Sequence, residues 1–94
     1  MKRPDVFFEN IGGEGPLSIY WQDGPYGDAI EADNGLGVVF IDDHDQVIAA
    51  QFDRVFSDHD HQILTYKNTK IEMTTLKGKV TKITKKTLRS KTVA

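Results

Sequence analysis

The chain contains no cysteine. A disulfide framework, a thiolate zinc site and thiol catalysis are thereby excluded. A small fold without disulfides is typical of reducing compartments, so we expect a cytoplasmic protein. Long apolar runs are also lacking: the most apolar segment, residues 36–41, falls far short of the ~18 residues that a membrane-spanning helix needs. Residues 6–8 are likewise too short an apolar run for a secretory signal, which needs about 7–15.

The sequence signatures of common enzyme classes are lacking as well. No Gly-x-Ser-x-Gly elbow occurs. Residues 12–15, Gly-Gly-Glu-Gly, are not followed by Lys-Ser/Thr, so a flexible turn is a better interpretation than a phosphate-binding loop. Carboxylates are plentiful, but nothing isolates one acid in an apolar pocket, which acid–base hydrolysis requires. We therefore favour a non-catalytic function without a cofactor.

The length of 94 residues suits one domain, because a chain of this size buries roughly 60–70% of its unfolded surface and supports a single core. From Lys85 onward only Leu88 and Val93 are large and apolar. We therefore predict a β-rich domain over residues 1–84 and a basic, flexible C-terminal tail over residues 85–94.

The hydrophobic pattern favours strands. Leu17, Ile19 and Trp21 alternate with polar residues, as in a half-buried strand. The Asn34-Gly35 step indicates a hairpin, and residues 36–41 are expected to form a central strand covered on both faces. The predicted fold is all-β, a small antiparallel meander of about seven strands closing into a barrel or sandwich. Its predicted core is Phe7, Leu17, Ile19, Trp21, Ile30, Val38, Phe40, Ile48, Phe52, Leu64, Ile71 and Val80.

Residues 46–56 leave an alternative open. Ile48, Phe52 and Phe56 are spaced four residues apart, and Asp43 or Asp45 could cap a helix that follows. An α+β fold with one helix near 46–56 is therefore the alternative. We favour a strand, because the apolar run before it ends in a compact polar turn, which is typical of a hairpin.

Charge is split along the chain. Residues 1–60 contain thirteen of the fourteen acids and three bases, whereas residues 61–94 contain nine bases and one acid, Glu72. Acidic turns can guide the approach of a basic partner, and Tyr and Trp are favoured interface anchors. The first functional hypothesis is therefore a protein-binding module of the inhibitor, immunity or accessory-subunit type. Its candidate contact residues are Tyr20, Tyr26, Asp28, Glu31, Asp42, Asp43 and Asp45.

The basic C-terminal third supports a second hypothesis, a nucleic-acid accessory protein. Its candidate phosphate contacts are Lys82, Lys85, Lys86 and Arg89. In an extended strand Lys79 and Lys82 are expected on opposite faces, which would prevent a single patch. No aromatic residue follows Tyr66, so base stacking by this segment is not expected.

Two His/Asp segments support a third hypothesis, a metal-dependent enzyme. Residues 42–45 read Asp-Asp-His-Asp and residues 58–61 read Asp-His-Asp-His, and both residue types bind zinc and similar ions. If both segments are turns at one end of a sheet, His44, His59 and His61 would converge. The simpler interpretation is polar turns without a metal. A homo-oligomer formed through an exposed strand edge is a further alternative.

Overall fold

The computed structural model describes residues 4–24 and 27–87, which form eight β-strands and no helix. The strands are β1 (Asp5–Phe8), β2 (Glu14–Tyr20), β3 (Asp28–Glu31), β4 (Gly37–Ile41), β5 (Val47–Phe56), β6 (His59–Tyr66), β7 (Thr69–Leu76) and β8 (Lys79–Thr87). The all-β prediction is confirmed. Within these two ranges no helix is available to cross a membrane.

The helical alternative for residues 46–56 is wrong, because β5 occupies this segment. A spacing of four residues fits one helical turn, but it also fits one face of a strand, where side chains repeat every second residue. Pairing with β2 on one side and β4 on the other supplies hydrogen-bond partners for the backbone N–H and C=O groups of β5. Long-range pairing therefore decides between two local patterns that the sequence allows.

The strands form two antiparallel sheets. The five-stranded sheet has the order β1-β2-β5-β4-β3, and the three-stranded sheet has the order β6-β7-β8. No closed barrel is found among the described strands. Strand β8 runs to Thr87 and therefore includes Lys85 and Lys86, the first residues of the segment 85–94 that the sequence predicts to be a tail.

Residues of both sheets make one hydrophobic core. From the five-stranded sheet it takes one set of alternating residues, here termed the inner face, which includes Leu17, Ile19 and Phe52 with no exposed surface. The three-stranded sheet contributes Leu64 and Ile71, which are equally buried. These five predicted core residues, together with the buried Ile48, are confirmed as buried.

The predicted core is wrong at three positions. Phe7 is 63% exposed, and Val38 and Phe40 are partly exposed on the opposite, outer face of the five-stranded sheet. Their neighbours face inward instead: Val39 is fully buried. The reason is that residues 6–8 and 38–41 are uninterrupted apolar runs, whose pattern does not distinguish one face from the other. Trp21, Ile30 and Val80, also predicted for the core, are partly buried against it.

Side-chain hydrogen bonds join the two sheets at their ends. Asp45, in the β4–β5 turn, accepts hydrogen bonds from the Tyr66 hydroxyl at 2.7 Å and the Lys67 ammonium at 2.8 Å. At the other end the Thr75 hydroxyl donates to the Phe56 carbonyl at 2.6 Å. No buried side-chain polar atom of the described residues lacks a partner, so the sheets meet without the cost of an unsatisfied group.

Candidate functional site

The outer face of the five-stranded sheet is apolar in the middle and acidic at its margins. Strand register aligns two rows of side chains across it. One row is Asp5, Tyr20, Ala49, Phe40 and Ala29, and the next is Phe7, Ser18, Gln51, Val38 and Glu31. Asp53 continues the outward-facing set of β5. These residues are termed the acidic-rimmed face.

Two aromatic side chains lie on the β1–β2 side of the acidic-rimmed face. The rings of Phe7 and Tyr20 meet edge to face, with centroids 5.6 Å apart and planes at 65°. Phe7 is 63% exposed, whereas Ala49, opposite Tyr20 on β5, has no exposed surface. An aromatic pair with one largely exposed ring is the type of feature that anchors protein interfaces.

The charge of the acidic-rimmed face is mainly negative. Asp5, Glu31 and Asp53 are exposed, and Arg54, at the β-bulge between β2 and β5, is paired with Glu14 and lies over the Phe56 ring. A negative rim around an apolar centre complements a basic protein surface and disfavours an acidic one.

Two acids of the β4–β5 turn hold the fold together, and the third is largely exposed. Asp42 accepts backbone N–H bonds from His44 at 2.8 Å and Gln46 at 2.9 Å, and these bonds, that of Gln46 first, lower its pKa. The pKa of Asp45 is lowered by its hydrogen bonds from Lys67 and then Tyr66. Asp42 therefore closes the turn and Asp45 joins the sheets, which leaves Asp43 as the turn acid with a 91% exposed side chain.

The predicted partner-binding residues thus occupy three places. Tyr20 and Glu31 lie on the acidic-rimmed face. Asp28 starts the edge strand β3 opposite Ile41, beside the turn that contains Asp42 and Asp43. Asp45 belongs to the contact between the sheets. Tyr26 lies outside the described residues.

The three histidines do not converge. The ligand atoms of Asp42, Asp43 and His44 lie within 4.8 Å of one another, but Asp42 already serves backbone amides. His44 lines a depression with Tyr66, the last residue of β6, whereas His59 and His61 lie at the start of that strand, about 17–23 Å away. His61 Nε2 instead lies 2.5 Å from a Glu72 carboxylate oxygen. A site that uses all three histidines is incompatible with these positions.

The outer face of the three-stranded sheet bears lysines. A β-bulge lies opposite Thr74 and Thr75, because Thr75 pairs with Val80 and Thr74 with Lys82. The extra residue, Thr81, resets the alternation. Lys79, paired with Leu76, therefore shares a face with Lys82, so the expectation of opposite faces is wrong. Register adds two further lysines, and the basic face is defined as Lys70, Lys79, Lys82 and Lys86.

Lys85 points to the other side of β8. Its ammonium lies 4.6 Å from the centroid of the Trp21 ring and donates a hydrogen bond to the Val47 carbonyl at 2.9 Å. Partial removal of water lowers the pKa of Lys85. Of the four predicted phosphate contacts, Lys82 and Lys86 are together on the basic face, Lys85 is engaged with the five-stranded sheet, and Arg89 lies outside the described residues.

Comparison with known proteins gives no match: no protein-family model, no curated protein and no solved structure matches the chain. The two outer faces are therefore the basis for a functional interpretation.

Sequence reasoning missed Phe7 and Phe40 as surface residues and Lys70 and Lys79 as members of a basic face. An available signal for the first pair was the lack of alternation in two strands near sheet margins. For the lysines no local signal exists, because the bulge at Thr81 depends on the pairing of β8 with β7.

Proposed function

We propose that the protein is a non-catalytic protein-binding module whose acidic-rimmed face engages a basic protein surface. The main support is Phe7, which is 63% exposed and held against Tyr20 on a face whose rim is mainly acidic. Such a face suits an inhibitor, immunity or accessory-subunit role. We further infer a sandwich of the two sheets, supported by their common core, and action in the cytoplasm, supported by the lack of cysteine.

Affinity and encounter rate have different sources in this proposal. Burial of a phenylalanine side chain stabilises a complex by about 1.5–3 kcal/mol when it is complete, so Phe7 is the expected anchor. Rim carboxylates such as Glu31 accelerate association with a positive partner and contribute less to the lifetime of the complex. Asp28 and Asp43, at the end of the same sheet, extend the negative potential.

The test compares matched variants as affinity baits in native lysate, with nuclease present. Phe7→Ala removes the anchor, and Leu76→Ala removes an exposed apolar side chain of the other sheet (45% exposed). Glu31→Lys reverses a rim charge, and Asp58→Lys reverses an exposed acid outside the face. We expect one basic protein to be retained by the wild type and both controls, and lost by Phe7→Ala.

The captured protein is then purified and its association rate measured by surface plasmon resonance. Glu31→Lys should slow association several-fold at low salt and little at high salt, because rim charges act mainly on the encounter. Equal retention by all four variants would refute the proposal. Concentration-dependent dimerisation abolished by Phe7→Ala, seen by sedimentation, would also refute it and identify a second copy as the occupant.

A further inference from the structure

We propose a second binding site, on the basic face of the three-stranded sheet, for the phosphate backbone of a nucleic acid. This site is separate from the acidic-rimmed face and does not depend on the proposed protein-binding function. It also differs from the C-terminal segment that the sequence suggests, since Lys70 comes from β7 and Lys85 is not a member.

The spacing of the cationic groups comes from the sheet register. Lys79 and Lys82 pair with Leu76 and Thr74, two residues apart on β7, so they are about 7 Å apart along the strand. Lys86 follows Lys82 after four residues, about 13 Å. Lys70 lies directly opposite Lys86, with a Cβ separation of about 5 Å. The bulge thus places Lys79 on the same face of β8 as Lys82 and Lys86. Lys70, on β7, widens this row at the end where Lys86 lies.

The positive charge of the row is compensated only in part, by a single acid. Like charges directly opposite each other in a sheet are destabilising, yet Lys70 and Lys86 occupy such a pair. None of the four lysines makes a salt bridge with another residue of the described ranges. Glu72 is the one acid that register places among them. Its pKa is lowered first by the hydrogen bond with His61 and further by the charges of Lys82 and Lys70, so one carboxylate serves a face with four lysines. Repeated phosphates would neutralise this face and relieve its internal repulsion.

A nucleic acid fits the face better than a membrane or an acidic protein. Insertion into a membrane needs apolar side chains at the surface, and Leu76 is the only strongly exposed one on this face of the described strands. The face has no phenylalanine, tyrosine or tryptophan among its described residues, so it lacks the side chains that usually provide base stacking and protein-type anchors. What remains is a row of point charges, which matches a regularly charged backbone without selecting a sequence.

The opposite sheet makes this binding directional. The acidic-rimmed face repels phosphates, so a nucleic acid would approach from the three-stranded side alone. Both outer faces can therefore be occupied at once. A protein bound on one side and a nucleic acid on the other would be brought together by a single small domain.

The test measures binding of the full chain to a fluorescein-labelled, mixed-sequence 20-nucleotide single strand by anisotropy between 25 and 200 mM salt. If four phosphates are neutralised, log affinity should fall with log salt at a slope of about −3, since each contributes about 0.7 for a single strand. Lys82→Gln with Lys86→Gln should weaken binding at least about tenfold at low salt and reduce the slope by about 1.4.

The matched control removes the same two charges elsewhere. Arg54→Gln with Lys67→Gln leaves the basic face intact and should change affinity less than about threefold; melting temperatures establish that both double variants are folded. If the two double variants weaken oligonucleotide binding equally, binding depends only on the net charge of the protein, and the proposed site is wrong. Undetectable binding at 25 mM salt would also overturn the site, as would loss of binding in Arg89→Gln with Lys91→Gln but not in the face variant. Binding to phosphatidylserine vesicles without binding to the oligonucleotide would overturn it in favour of a membrane.

Discussion

The two sheets contribute to the same core but differ in the charge they present to solvent. Residues 5–56, which include the five-stranded sheet, contain eleven acids and one base, Arg54; residues 57–87, which include the three-stranded sheet, contain seven lysines and three acids. Phe52 and Leu64, one from each sheet, are equally buried. The shared core requires apolar inner faces in both sheets, whereas the sign of the charge on each outer face is free to serve recognition.

The sheets also differ in how closely their backbones approach. In the five-stranded sheet, a Cβ added to Gly15 would lie 1.8 Å from the Glu9 carbonyl oxygen, and one added to Gly37 would lie 2.0 Å from that of Gln51. The three-stranded sheet contains no glycine within its described strands. Replacement of Gly15 or Gly37 by a residue with a side chain is therefore expected to disturb the five-stranded sheet. The three-stranded sheet has no position of this kind in its described strands.

The largest expected effects test whether the sheets fold as one unit. Phe52→Ala and Leu64→Ala should each destabilise the fold by about 2–5 kcal/mol, because both remove a fully buried side chain. Denaturant unfolding is followed by fluorescence of Trp21, the only tryptophan, and by hydrogen exchange of β7 amides. Both variants should shift both signals together.

Phe7→Ala is the control for that experiment, since a largely exposed side chain contributes little to the core. If Leu64→Ala leaves the Trp21 transition in place and shifts only β7, the sheets unfold separately. The common core would then be a contact between two independently folding units, and the difference in charge would be a difference between those units.

The sequence predicts those parts of the fold that local pattern determines. The alternation of Leu17 and Ile19 identifies β2 and its buried face. The Asn34-Gly35 step identifies the turn across which β3 and β4 pair, with Gly35 at a φ of 74°. The sequence left a barrel and a two-sheet sandwich as alternatives, because the division into sheets depends on β5 pairing with both β2 and β4 at long range.

The candidate sites were less predictable than the strands. Tyr20 and Glu31 were identified from residue type, and the acidic-rimmed face contains both. Asp42 and Asp45 were also chosen because they are acidic, but their hydrogen bonds give them structural roles. Composition gives the sign of a charge, whereas only the register and the turn geometry give the direction in which it points.

Asp45→Asn addresses the contact that holds the two sheets together at one end. The folded protein holds the pKa of Asp45 below its usual value, so its carboxylate stabilises the fold above the unfolded pKa of about 3.9. That contribution is lost as pH falls through the lower, folded pKa. The variant should lower the melting temperature at pH 7 and flatten its decline below pH 4.

Asp43→Asn provides the comparison, because its side chain is 91% exposed and lies near His44 rather than the other sheet. It should leave the melting temperature nearly unchanged. Tyr66→Phe, which removes one of the two donors to Asp45, should give an intermediate loss. An Asp45→Asn protein as stable as Asp43→Asn at pH 7 would mean that the sheets need no polar contact at this end.

Lys85→Gln should give the smallest effect, at the place where a lysine of β8 contacts Trp21 and Val47 of the other side of the molecule. Loss of the cation–π contact with Trp21 should cost about 0.5–1 kcal/mol and alter Trp21 emission. Because the folded pKa of Lys85 is lowered, the wild type should gain stability as pH rises from that pKa toward 10.5, where the unfolded chain still holds the proton. Lys85→Gln should lack this gain, whereas Lys82→Gln, on the basic face, should keep it. If the two variants behave alike between pH 8 and 10.5, Lys85 is one more solvated charge, and the two sheets differ in sign without an electrostatic contact between them at this position.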